Sequence, residues 1–134
     1  MLPVEFIVPG SPASLQAKGK KRQGWREVVA AAAHEAWGAD SPAREEVALS
    51  ATNFFVSDAP DVDNVLKPIL DALTRIVYED DSQVTTALSM KIHLCATLPS
   101  GRPSGTEVDE AVANGKDFVH IKISPAHDPH IRMR

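Results

Sequence analysis

Between Val62 and Val77 the chain carries a pattern that a surface helix satisfies and a strand does not. At about 100° per residue, Val65, Leu66, Ile69, Leu70, Ala72, Leu73, Ile76 and Val77 fill one continuous arc, and Asp63, Asn64, Lys67, Asp71 and Arg75 fill the other. The apolar arc must be buried, so the segment predicts an amphipathic helix laid on a larger apolar surface. Asp63, Lys67 and Asp71 follow at four-residue spacing and share the polar side. Pro68 cannot donate to Asn64 and disfavours helical geometry at Lys67, so either the helix begins near Pro68 or its first turn is kinked.

The surface for that helix is expected from strands. Val4, Phe6 and Val8 alternate before the turn Pro9-Gly10-Ser11-Pro12. Val47 to Val56 is rich in strand formers and closes at Ser57-Asp58-Ala59-Pro60. From Val84 to Leu98, Val84, Leu88, Met90, Ile92, Leu94, Ala96 and Leu98 alternate with polar residues, which predicts one buried face. Val119, Ile121 and Ile123 mark a last strand. Trp25, Val28, Val29, Ala32, Ala33 and Ala36 recur at helical spacing up to Gly38, and Thr106 is placed to cap a short helix ended by Asn114-Gly115. The order implies an α+β fold: a mixed sheet of about four strands with two main helices. Its 134 residues are expected to form one domain over residues 1–124, with a mobile tail over 125–134.

No segment approaches the roughly 18 apolar residues of a membrane span, so no membrane partner is expected and a cytoplasmic location is. The single cysteine, Cys95, excludes an internal disulfide and a cysteine-built zinc site, and is read as a packing residue. The net charge of −4 hides a division. From Gln16 to Arg26 the chain holds Lys18, Lys20, Lys21, Arg22 and Arg26 and no acid, whereas Asp40 to Asp81 holds ten acids against three bases. A basic stretch of this kind is either a solubilising loop or an arm for phosphates, and the acidic block decides between them.

Asp61 and Asp63 flank Val62, and Asp80-Asp81 come just before the long strand. If the fold brings them together, their oxygens suit a hard cation such as Mg²⁺ or Mn²⁺, with waters or a substrate phosphate completing the set. That arrangement favours phosphodiester hydrolysis, with Lys67 supplying positive charge. The plainer alternatives are a solvated Asp-x-Asp helix cap and an ordinary ion pair of Lys67 with Asp63 or Asp71. An EF-hand fails because Val65 and Leu66 stand where an oxygen ligand and a glycine belong.

The combined pattern Asp61-x-Asp63-Asn64-x-x-Lys67-x-x-x-Asp71-Ala72-Leu73, followed by Asp80-Asp81-x-Gln83-Val84, resembles the RusA family of Holliday junction resolvases, small endodeoxyribonucleases often encoded by prophages. The resemblance implies a homodimeric, Mg²⁺-dependent enzyme that resolves four-way DNA junctions by paired nicks. By position, Asp61, Asp63 and Asp81 look like its metal-binding catalytic carboxylates and Lys67 like its catalytic lysine. Asp80 either assists them or ends the turn. Asn64 and Asp71 look like groups that hold Asp63 and Lys67 in place, and Lys18, Lys20, Lys21, Arg22 and Arg26 become the expected DNA-binding residues. Ser57-Asp58-Ala59-Pro60 stands where family members can carry arginines, a departure that bears on junction preference more than on chemistry. Two other readings stay open: a nuclease for flaps or other branched DNA, and a catalytically silent DNA-binding dimer.

Overall fold

A computed structural model of the chain describes residues 1–12, 20–95, 98 and 101–126, and the side chains of residues 20–23 lie outside that description. Four strands, β1 (Val4–Pro9), β2 (Val47–Phe55), β3 (Val84–His93) and β4 (Phe118–Pro125), form one sheet in the order β1-β4-β2-β3. β4 runs antiparallel to both its neighbours, and β2 and β3 are parallel, so the sheet is mixed. With helices α1 (Lys20–Trp37), α2 (Val62–Leu73) and α3 (Thr106–Asn114), the described residues form a single α+β domain with three α-helices. The third is the short helix expected at Thr106, although its cap is Gly105 at φ 128° and not the Thr106 side chain. Its end at Gly115, in the left-handed region at φ 69°, is as the Asn114-Gly115 pair predicts.

Alternation decides which residues meet. Val4, Phe6 and Val8, Val47, Leu49 and Ala51, and Val119, Ile121 and Ile123 face one side of the sheet and are buried there. α1 lays Trp25, Val29, Ala33 and Trp37, a strict four-residue stripe, against this face, so both tryptophans belong to the chain's own core. α2 adds Val65, Ile69 and Leu73 from its apolar arc. On the opposite face α3 covers a smaller cluster of Phe54, Ile92, Val108 and Phe118, with the Phe54 and Phe118 rings stacked at 4.5 Å.

Several boundaries differ from expectation for identifiable reasons. α2 starts at Val62 and carries Pro68 buried within it, so the proline neither delays nor ends the helix; its ring joins the packed side. The helix stops at Leu73 although the apolar arc continues, because Thr74 is extended and Arg75 takes φ 70°. Ile76 and Val77 then reach the core from a tight turn closed by Arg75 N–H donating to the Tyr78 carbonyl at 2.6 Å. The buried Tyr78 hydroxyl donates to the Leu70 carbonyl at 2.8 Å, and burial pushes its pKa well above the ordinary tyrosine range.

β3 is shorter than the alternating run and ends at His93. Among the described residues it is an edge strand with no sheet neighbour beyond it, so the expectation of a buried face holds only at Ile92, and Leu88 is 52% exposed. Cys95, just past its end, is exposed and does not pack. The basic stretch is not a separate arm from Lys20 onward: Lys20, Lys21, Arg22 and Arg26 form the first turns of α1, while Lys18 lies outside the described residues. Of the expected tail, Pro125 completes β4 and Ala126 N–H donates to the Glu46 carbonyl at 3.0 Å; residues 127–134 lie outside the description.

Because α2 is anchored through fully buried Ile69, Ile69→Ala should lower unfolding stability by about 2–5 kcal/mol, the usual range for such a truncation. Urea titration should show the midpoint falling with the slope unchanged.

Candidate active site

The chain leaves β2, turns through 56–61 and returns along α2, because the next strand is parallel to β2 and needs a crossover. The start of α2 is thereby set beside the upper half of β3, where Ser89 Oγ donates to the Val62 carbonyl at 2.7 Å. Asp61 is the N-cap residue and Asp63 lies in the first turn, both exposed. Neither makes an ion pair among the described residues, and Asp61 makes no side-chain cap hydrogen bond. Their negative charge is favoured at the N-terminal end of the helix dipole, but no counter-ion from the described chain neutralises them.

Lys67 does not pair with Asp63. Its Nζ lies 2.9 Å from Asp71 Oδ1, one turn further along α2, and 3.4 Å from Asp81 Oδ2, in the short 3-10 turn Asp81–Gln83 before β3. The hydrogen bond and charge of Asp71, with Asp81 adding to them, raise the Lys67 pKa above 10.5. Arg26 Nη1 lies 3.8 Å from Asp71 Oδ2, so one of the expected DNA-binding residues reaches across from α1 to the same carboxylate. Asn64 is half-buried beside them; its N–H donates to the Asp61 carbonyl at 3.0 Å, and no side-chain bond to Asp63 is present among the described residues.

The turn that presents Asp81 is fastened by a residue to which sequence reasoning gave no role. Gln83 Oε1 accepts from the backbone N–H groups of Glu79 and Asp80 at 2.9 and 3.0 Å, and its Nε2 donates to the Ala43 and Glu45 carbonyls, each at 2.9 Å. Asp80 caps the same turn, accepting from Ser82 N–H at 3.0 Å, and hydrogen bonds from Ser82, the side chain first, hold its pKa below the ordinary carboxylate value. The spacing Asp80-x-x-Gln83 is that of a capping box, a signal present in the sequence.

The structure therefore gathers Lys67, Asp71, Asp81 and Arg26, and sets Asp61 and Asp63 at the helix start. Among the described residues no three His, Cys, Asp or Glu side chains converge into a group that could hold a metal ion. The donor chemistry nonetheless fits Mg²⁺, which commonly takes one or two carboxylates and completes its shell with waters and substrate phosphate. Asp61 and Asp63, hard oxygen donors without an ion pair among the described residues, offer that minimum.

A small α+β domain with exposed aspartates at a helix start, and with a lysine held between two further aspartates, defines a class of candidate phosphodiesterases. The family model for endodeoxyribonuclease RusA matches residues 13–108, most of the chain and every residue of the site. The chain belongs to this family of Holliday junction endodeoxyribonucleases. No curated protein matches it.

The Lys67 cluster has a direct spectroscopic consequence. Replacing Asp71 by Asn removes the largest cause of the raised pKa, so the ammonium should titrate at a lower pH than in the parent chain. Any stability the raised pKa contributes is present in full below the unfolded value near 10.5, neutral pH included, and is lost as pH rises through the folded value, so the titration that reports it lies in the alkaline region. NMR of the lysine side chains across pH 9–12 measures it.

Proposed function

We propose that this chain cuts four-way DNA junctions by Mg²⁺-dependent phosphodiester hydrolysis, in recombination and repair, with Asp61, Asp63, Lys67 and Asp81 at the reacting phosphate. The observation that carries the reading is the division of charge on α2: Lys67 is held by Asp71 and Asp81, while Asp61 and Asp63 stand exposed without counter-ions among the described residues, inside the matched region. Mg²⁺, or Mn²⁺ in its place, would be held by Asp61 and Asp63, with Asp81 and Asp80 the further oxygen donors at the neighbouring turn. A bound divalent ion neutralises the phosphate and lowers the pKa of a water molecule.

The chain's own groups supply the rest. Lys67 stays protonated at neutral pH and places a fixed positive charge at the phosphate oxygens, oriented by Asp71 and Asp81. Asn64 and Asp71 act through their neighbours by fixing the start of α2 and the lysine. Lys18, Lys20, Lys21, Arg22 and Arg26 bind the DNA backbone around the site, with Arg26 exchanging its long contact to Asp71 for a phosphate at little cost, because exposed ion pairs are worth at most about 1 kcal/mol. Four-way junctions have near two-fold symmetry and need two opposed cuts, so the acting species is a homodimer with one site per subunit.

One experiment tests chemistry and assembly together, using a junction extruded from a supercoiled plasmid. With Mg²⁺ the parent chain should give linear product, and a chelator should abolish it. Asp63→Asn should bind the junction and leave it uncut, since it loses metal affinity but also some repulsion from phosphate. Mixed parent and Asp63→Asn subunits should accumulate singly nicked circles. Cutting by Asp63→Asn at the parent rate would overturn the site, and linear product in the mixture with no nicked excess would overturn the dimer.

A further inference from the structure

We propose that Lys91 is a DNA-phosphate-binding residue of this site, gripping the backbone beside Asp61 and Asp63; the inference rests on the nuclease reading. The register places it there. Val8, Val119, Asn53 and Lys91 form one row across β1, β4, β2 and β3 on the face that carries α1 and α2, and the adjacent row ends in Ser89. Ser89 Oγ touches the Val62 carbonyl, and β3 runs opposite to α2, so the strand residues beyond Ser89 climb past the helix start toward Asp61. Among the strand residues on this face, Lys91 is the one lysine or arginine. It is exposed, lies on an edge strand, and has no ion-pair partner among the described residues, in contrast to Lys67 and Arg26.

A second observation marks the same row. Asn53, paired with Lys91, is only 2% exposed, yet its Oδ1 and Nδ2 have no hydrogen-bond partner among the described residues. Leu49 and Ala51 precede it on the same face, so packing alone would favour an apolar side chain there. The inner face thus carries a buried amide in the row beside the start of α2, and at the rim of that row stands Lys91, without an ion pair among the described residues. A phosphate drawn toward two aspartates is repelled until positive charge gathers around it, and a lysine one row from the helix start supplies such charge from the protein itself.

The test measures binding of a synthetic four-way junction in chelator, at several salt concentrations, for the parent chain, Lys91→Ala and Lys91→Arg, with Lys122→Ala as an exposed lysine elsewhere. Loss of one phosphate contact should make the slope of log affinity against log salt shallower by about 0.9, equivalent to about eightfold weaker binding at 0.1 M salt. Lys91→Arg should restore the slope, Lys122→Ala should leave it unchanged, and thermal midpoints should agree throughout. A parent-like slope for Lys91→Ala, or a slope that Lys91→Arg fails to restore, overturns the inference while the nuclease reading stands on the parent chain's cutting. A parent chain that neither binds nor cuts junctions overturns both.

Discussion

Burial of one side of α2 against the sheet sets where every charged group of the site can stand. Val65, Pro68, Ile69 and Leu73 are buried, which fixes the rotation of the helix and leaves Asp63, Lys67 and Asp71 on its outer side. The crossover between parallel β2 and β3 fixes its direction, with the start beside Ser89 and the far end returning through Tyr78 to the Asp81 turn. Rotation and direction together bring Lys67 to Asp81 across fourteen residues of chain. A truncation under the helix is therefore felt at the site as well as in the core.

The ion pairs themselves hold little of the fold. Lys67 is 48% exposed and Arg26 38%, and solvent screening leaves pairs as exposed as these little weight in stability. Their consequence is orientation. Two carboxylates direct one ammonium, and a glutamine making four hydrogen bonds holds the turn from which one of those carboxylates projects. Asp61 and Asp63 are exposed at the start of α2 without an ion pair among the described residues, the condition in which a carboxylate remains available to a cation.

How far the sequence disclosed this depended on whether the information was local. The i, i+4 spacing of Asp63, Lys67 and Asp71 showed the outer side of α2, and Gly38 and Gly115 showed helix ends, because these features depend only on neighbours along the chain. Position within the sheet was not local. The alternation in β3 is the same for an edge and a central strand, so the exposure of Leu88 could not be read, and the choice of Asp71 and Asp81 over Asp63 as the partners of Lys67 required the crossover geometry. Asn53 lay unseen inside an apolar strand pattern, and its buried amide, without a partner among the described residues, became visible only with the rows of the sheet laid side by side. The basic stretch looked like a loop because lysine, arginine and glycine carry no apolar period, although Lys20 to Arg26 begin α1.

The central claim is that Asp61 and Asp63, and not the lysine-bound cluster alone, form the divalent-cation site. The most direct measurement is electron paramagnetic resonance of Mn²⁺ titrated into the junction-bound protein, comparing the parent chain with Asp61→Asn, Asp63→Asn and Asp71→Asn. The account predicts a stoichiometric bound ion in the parent chain, lost or weakened at least tenfold by either of the first two substitutions and retained by the third. Binding unaffected by Asp61→Asn and Asp63→Asn would contradict it.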